Sequence, residues 1–260
     1  MTNAYFERVD DVVFRSTYAT GGGWDPGELH VSPLAGVLVH AIRRHAASHG
    51  TAGLQLSRIA FDILGRLPFG EYTIDTAIRR PGRTIELIEA TATIGGRTVL
   101  AARAWRLIAS DSSAVATDRI RRMPPPDSLP GWRISDRWPG TFAATLEVRV
   151  LESGEPGPMS AWVRTRHELI AGEPDPVASY VALIDVANAI APHRTPDDWF
   201  YPNVDLTVHL HRTPRAGWVG LDTSVIFGAT GLGITTTVLH DEYGPVGFAS
   251  QALTVRRRVA

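Results

Sequence analysis

The chain has 260 residues, with 26 basic and 27 acidic side chains, a net charge of -1 at pH 7 and no cysteine. With 44% hydrophobic and 20% charged residues, the composition is typical of a globular protein rather than a disordered one. Because the net charge is close to zero, the chain has no excess of basic residues of the kind that nucleic-acid binding requires. The absence of cysteine excludes disulfides, thiolate metal sites and a cysteine nucleophile.

The N-terminal segment carries five charged side chains within its first 15 residues, namely Glu7, Arg8, Asp10, Asp11 and Arg15. These charges leave no apolar run of the kind found in a secretory signal peptide. No apolar stretch elsewhere approaches the roughly 20 residues that a transmembrane helix needs. We therefore expect a soluble, cytoplasmic protein without membrane insertion.

A helix followed by a series of strands is predicted in the first half. The helix spans Pro33–His49, because Ser32 can cap it, Pro33 suits its first turn and Gly50 follows its end. Four strand-like segments follow, separated by Pro-Gly and Gly-Gly turn signals: Leu54–Leu64, Tyr72–Arg79, Thr84–Ile94 and Thr98–Ile108. The order indicates a helix and an antiparallel meander.

The same order recurs in the second half. Asp175 and Pro176 start a predicted helix with apolar residues at helical spacing, which Pro192 ends. Strand-like segments again follow: Val204–Leu210, Trp218–Phe227, Gly233–His240 and Val246–Arg256. Two long helices do not suffice for an alternating parallel α/β sheet, so an antiparallel α+β fold is expected.

The two halves align without a gap over the strand region. The alignment pairs Gly70 with Gly217 and Asp75 with Asp222, an offset of 147 residues. Equal spacing over a whole unit indicates an internal duplication. Between the halves, residues 123–131 contain four prolines and predict a semi-rigid connector. We therefore predict domains at 1–122 and 132–260, joined by this connector.

Two segments of the second half resemble a known family. Residues 205–214 open with Asp205 and end in a His-Arg-x-Pro pattern, and Gln251 precedes Arg256 in the last predicted strand. Together with the repeated plan, they resemble the bacterial type II acyl-CoA thioesterases. The resemblance implies a double hotdog, two fused copies of an antiparallel sheet wrapped around a long helix. It also implies hydrolysis of a fatty acyl-CoA to free acid and CoA, with no metal or other cofactor. Exposed sheet edges add the expectation of a homodimer.

The resemblance also implies which residues form the site. In the family, an Asp, a Ser or Thr and a Gln of the second hotdog hold and polarise the attacking water. Asp205 and Gln251 match the Asp and the Gln, whereas Ile226 stands where the family has its hydroxyl. Ser224 lies two residues earlier on the same strand face and is the candidate hydroxyl. At the 147 offset Gln251 aligns with Ala104, so we predict one active site per chain.

Asp185 and Asn188 lie one helical turn apart beside the apolar stripe of the second predicted helix. We predict that they line the substrate site, and Asp185 is the rival candidate for the base. Asp205, His209 and His211 alternate onto one strand face, but they lack a fourth ligand for zinc. The alternatives to hydrolysis are a catalytically inactive acyl-CoA-binding or scaffold protein and, less favoured, a hotdog dehydratase or hydratase.

Overall fold

The computed structural model describes residues 3–51, 53–117, 119–151, 158–191, 194 and 196–258. Its first half contains β1 (Ala4–Arg8), β2 (Val13–Ser16), α1 (Val31–Ser48), β3 (Leu54–Ile63), β4 (Glu71–Arg80), β5 (Ile85–Ile94) and β6 (Arg97–Ile108). Helix α1 begins two residues before the predicted start, because the side chain of His30, rather than Ser32, caps it. The strands β3 to β6 lie where the sequence predicts them, whereas β1 and β2 were not predicted.

The second half contains β7 (Gly131–Trp132), α2 (Thr141–Ala144), β8 (Leu146–Leu151), β9 (Pro158–Thr165), β10 (Glu168–Ile170), α3 (Pro176–Val181), α4 (Ala187–Ile190), β11 (Trp199–Phe200), β12 (Asp205–Leu210), β13 (Val219–Phe227), β14 (Leu232–Asp241), β15 (Gly244–Thr254) and β16 (Arg256–Arg257). The prediction of one continuous second helix is wrong. A 3₁₀ turn, Ile184–Val186, separates α3 from α4. β-Branched residues and Asp185 concentrate at this break, and all of them are weak helix formers. The predicted end at Pro192 lies outside the described residues.

Fourteen of the described strands form one sheet, in the order β10-β1-β2-β4-β5-β6-β3-β12-β15-β14-β13-β9-β8-β7. The halves meet at the antiparallel pair β3–β12, where Phe61 lies opposite Leu206 and Ile59 opposite Val208. Outward from this seam, β3-β6-β5-β4-β2-β1 repeats as β12-β15-β14-β13-β9-β8. Strand β14 begins and ends 147 residues after β5. This repetition around a long helix confirms the double hotdog.

Helix α1 lies against the sheet and against α3 in the core. Its side chains Leu34, Val37 and Leu38 are fully buried. At Gly36 the two helices approach so closely that an added Cβ would lie 2.6 Å from the Cβ of Ala182. A side chain at this position would therefore push the helices apart. None of the described helices combines the length and the apolar character needed to cross a membrane.

Arg212, in the His-Arg-x-Pro segment, forms an ion pair that holds a turn in place. Its guanidinium donates to both carboxylate oxygens of the buried Asp241, each at 2.6 Å, and to the carbonyl of Gly244 at 2.9 Å. Hydrogen bonds from Arg212 and Tyr243 lower the pKa of Asp241 against the opposing effect of burial. A bidentate pair of this kind fixes the turn between β14 and β15.

The proline-rich connector packs onto the second half. Met123 and Leu129 contact Trp162 and Trp218, and the Trp162 indole N–H donates to the carbonyl of Pro124 at 2.7 Å. The predicted domain limits at 122 and 132 stay a prediction, since one continuous sheet runs through both halves.

Candidate active site

Three polar side chains meet inside the second half. The Oδ1 atom of Asp185 accepts hydrogen bonds from Nδ2 of Asn203 and Nε2 of Gln251, both at 2.7 Å. Asp185 comes from the 3₁₀ turn, Asn203 from the loop before β12, and Gln251 from the inner face of β15. Asp185 is 4% exposed and Gln251 2%. One carboxylate oxygen is thus held by two amide donors away from bulk water.

The environment of Asp185 makes its carboxyl a stronger base than usual. Burial raises the pKa of Asp185 to about 6, although the bonds from Asn203 and Gln251 lower it, and the nearby charge of Asp205 raises it further. A carboxyl with this pKa is mostly ionised at pH 7 and still binds a proton readily. These are the properties of a general base that works near neutral pH.

His30, the N-cap residue of α1, belongs to the first half but lies beside this cluster. Its Nδ1 accepts the backbone N–H of Ser32 at 3.2 Å, so the neutral ring carries its proton on Nε2. Burial lowers the pKa of His30 to about 4. The separation of 3.8 Å between His30 Nδ1 and Asp185 Oδ2 is therefore not an ion pair at neutral pH. Oδ2 itself makes no hydrogen bond within the described part of the chain.

Two pockets border this cluster, with volumes of about 500 and 550 Å³ that include the solvent at their openings. Both are lined by Trp24, His30, Asp185 and Asn203. The first continues along an apolar wall formed by Ile134, Trp138, Phe142, Ala143 and Leu146. The second opens past Gly22, Asp25, Glu28, Gly65 and Leu67. Asp185 therefore lies where the two pockets share their lining, and the first pocket adds an apolar wall.

Of the residues predicted from sequence, the structure brings Gln251, Asp185 and Asn188 to the same region. Asn188 lines the first pocket, and its Nδ2 donates to the carbonyl of Tyr201 at 3.1 Å. Its Oδ1 is buried and meets no donor among the described residues. Asn188 thus offers a free acceptor beside the base candidate.

Asp205 does not join Gln251. Along β12 the buried side chains are Leu206, Val208 and Leu210, so Asp205 lies on the opposite, outer face of the sheet. Its carboxylate accepts the backbone N–H of Ala252 at 2.6 Å. The residue matched to the family's Asp therefore closes the end of a strand pair, on the opposite face of the sheet from the buried amide of Gln251.

Ser224 does not meet Gln251 either, because strand pairing decides which side chains share a face. Thr235 is paired with both Gln251 and Val225, and these three face inward. Ser224 and Ile226 point outward, and Ile226 is 62% exposed. Ile226 therefore lies outside this cluster, and the hydroxyl on the residue paired directly with Gln251 is that of Thr235.

Asn203, His30 and Thr235 were not predicted from the sequence. Asn203 lies two residues before Asp205, just outside the segment that resembles the family. The position of Thr235 could have been found from the hairpin of β14 and β15, because the turn between these strands sets the register that pairs Thr235 with Gln251. His30 had no such signal, because only the contact between the two halves brings the end of α1 to the second hotdog.

The other half lacks this polar set at the aligned positions. The 147 offset places Leu38, Leu56 and Ala104 opposite Asp185, Asn203 and Gln251, respectively. All three of these aligned residues are buried and apolar. Among the described residues, the polar cluster is thus present in the second half only, and the first half has apolar core residues at the aligned positions.

Solved structures share this architecture over nearly the whole chain. A hotdog-fold protein of unknown function from Alicyclobacillus acidocaldarius is 15% identical with a TM-score of 0.75, covering 97% of this chain and 96% of its own. The acyl-CoA thioesterase II TesB2 from Mycobacterium marinum is 16% identical with a TM-score of 0.66, again covering 97% and 96%. A tesB protein from Mycobacterium avium subsp. paratuberculosis is 18% identical, with a TM-score of 0.69 and coverage of 96% and 95%. At such identities the likeness concerns the fold.

Family models give the more specific result. The model of the acyl-CoA thioesterase N-terminal domain matches residues 20–107, and that of the C-terminal domain matches residues 118–255. No curated protein sequence matches the chain. The two matches cover most of the chain, each in its own half and in the expected order. The chain therefore belongs to the acyl-CoA thioesterase family.

Proposed function

We propose that this protein hydrolyses fatty acyl-CoA to the free acid and CoA, with Asp185 as the general base. The observation that carries the proposal is the unequal use of the two carboxylate oxygens. Oδ1 accepts from both Asn203 and Gln251, whereas Oδ2 makes no hydrogen bond within the described residues, and Asp185 lines the first pocket. A water bound to Oδ2 would be oriented by a carboxylate that the two amides prevent from rotating.

The reaction follows from this placement. Asp185 takes a proton as the water oxygen bonds to the thioester carbonyl carbon, which forms a tetrahedral oxyanion. The N-terminal end of α1 and the Nε2–H of His30 lie on the same pocket and favour the developing negative charge. Collapse of the intermediate breaks the carbon–sulfur bond, and the departing thiolate recovers the proton from Asp185. No covalent enzyme intermediate is required.

The apolar wall supports the choice of an acyl substrate. Trp138, Phe142 and Leu146 extend from the cluster into the first pocket and offer a surface for an alkyl chain. Burying that chain keeps bulk water out of the pocket around the attacking water, which maintains the raised pKa of Asp185.

The test is release of free thiol from a panel of acyl-CoA substrates by the wild type, Asp185→Asn and Asp205→Asn. We expect Asp185→Asn to lower kcat by at least about 100-fold, since general base catalysis contributes roughly 10²–10⁴. Asp205→Asn is the matched control, the same chemical change on the outer face of the sheet. Loss of activity in Asp205→Asn alone would overturn the assignment. If the wild type hydrolyses no substrate but acyl-CoA raises its melting temperature, the chain is an inactive acyl-CoA-binding protein.

A further inference from the structure

A short two-stranded ribbon lies beyond the cluster, formed by β11 and β16. The guanidinium of Arg256 lies over the ring of Phe200, 4.5 Å from its centroid, and that of Arg258 lies 5.6 Å from the same centroid. Arg258 is also 5.9 Å from the ring centroid of Trp24. Stacking on aromatic faces gives these two exposed arginines defined positions.

Trp24 connects this ribbon with the candidate active site. Its indole contacts the ring of Phe200 at 4.8 Å, and it lines both pockets together with Asp185. The backbone N–H of Arg258 donates to the carbonyl of Asp198 at 2.9 Å, which fixes the end of the ribbon. Trp24 therefore links the ribbon to the cavity that contains the base, and we call the position of the two arginines the rim of that cavity.

The charge at this rim is uncompensated within the described residues. Arg256, Arg257 and Arg258 follow one another, are exposed, and form no ion pair with any described carboxylate. Arg66 differs, because Asp25 and Glu28, which line the second pocket, pair with it. An arginine without a carboxylate partner keeps all its donors for an anionic ligand.

The distance from the cluster to the rim suits one kind of substrate. Arg256 follows Gln251 by five residues, and an extended strand advances about 3.3 Å per residue, so the two lie at most about 16 Å apart. This is comparable to the extended pantetheine arm, which separates the thioester of CoA from its first phosphates. A thioester held at Asp185 would thus bring those phosphates to the ribbon.

We propose that Arg256 and Arg258, with Phe200 and Trp24, form the subsite that binds the nucleotide end of CoA, its 3′-phospho-ADP group. The guanidinium groups bind the phosphates, and the aromatic rings contact the adenine. This inference rests on the proposed function. The combination of rings with cations favours a nucleotide over the acidic surface of a carrier protein, which would present carboxylates without an aromatic base.

The test compares Arg256→Gln/Arg258→Gln with Arg257→Gln as the matched control. Arg257 lies on the same strand as Arg256 but stacks on no aromatic ring of the described residues, so its loss removes one positive charge from the same ribbon without affecting the subsite. We expect the double variant to raise the KM for acyl-CoA at least about tenfold, as for a lost bond to a charged group, with kcat within about twofold.

A truncated substrate separates this subsite from the chemistry. S-acyl-pantetheine lacks the nucleotide, so the wild type and the double variant should hydrolyse it equally. An unchanged KM for acyl-CoA, or an equal loss with S-acyl-pantetheine, would refute the subsite. A loss confined to acyl-carrier protein would assign the arginines to a protein partner instead.

Direct binding distinguishes failure of the subsite from failure of the proposed function. Adenosine 3′,5′-bisphosphate, titrated calorimetrically into the full chain, should bind the wild type and Arg257→Gln and bind the double variant at least about tenfold more weakly. If the wild type hydrolyses no thioester but shows this binding difference, the hydrolase proposal fails and the nucleotide subsite stands. Equal binding to all three proteins overturns the subsite, whatever the activity.

Discussion

The substitution Asp185→Asn, which replaces a buried carboxylate with a neutral amide, should make the protein more stable and at the same time inactive. Burial raises the pKa of Asp185 to about 6 from 3.8, its ordinary value in an unfolded chain. Between these values the folded protein binds more protons than the unfolded chain, so the wild type loses stability as the pH rises through this window. At 1.36 kcal/mol per pH unit, the difference of about two units amounts to about 3 kcal/mol above pH 7. Asp185→Asn keeps the shape of the protonated form and escapes this loss.

Urea unfolding of the wild type and Asp185→Asn at a series of pH values measures the difference. We expect Asp185→Asn to be more stable by up to about 3 kcal/mol at pH 8 and nearly equal to the wild type below about pH 3, where the carboxyl is protonated in both states. Other titrating groups are shared by the two proteins and cancel. A difference that does not depend on pH, or a less stable variant at pH 8, would show that Asp185 is not a strained buried charge.

Four further results are expected. The kcat/KM of the wild type should rise with pH through an apparent pKa of about 6 and level off above it, as measured by initial rates, because Asp185 must be ionised to act as base. Asn203→Leu should move this rise to higher pH and lower kcat/KM about tenfold, since the bond from Asn203 lowers the pKa of the carboxyl; an unmoved profile contradicts this. Asp205→Asn should leave the pH of the rise within about half a unit, because Asp205 contributes only its charge at a distance. Gly36→Val should cost about 1–3 kcal/mol in urea unfolding, whereas Gly53→Val, where an added Cβ meets no atom within 4 Å, should cost much less.

Most of the sheet could be predicted, because its strands are long and bounded by strong turn signals. The eight predicted strands correspond to β3 to β6 and β12 to β15, with ends that differ by one or two residues. The duplication was also visible, since the 147 offset is a property of spacing. Strands β1 and β2 were missed, because they are short and alternate with charged residues. The break in the second helix was missed as well, because apolar spacing in Val177–Ile184 continues into it.

The candidate site was likewise predicted only in part from the sequence. Chemistry and resemblance pointed to Gln251 and to an acidic residue of the second half, and both Asp185 and Asp205 were in view. Choosing between the two depends on which face of the sheet each side chain reaches, and one residue of register reverses that face. A resemblance between linear segments contains no such information.

The sequence by itself determined the composition of the core, the repeated helix-and-meander plan and the inequality of its two copies, because these depend on residue type and local spacing. Only the tertiary structure decided which side chains meet. It brought the N-terminal end of α1, from the first half, to Asp185 in the second, and it placed Asn203 and Gln251 on one carboxylate oxygen. Such contacts join residues that are distant in the chain, and the approach of His30 to Asp185 also requires the two hotdogs to pack against each other across β3 and β12.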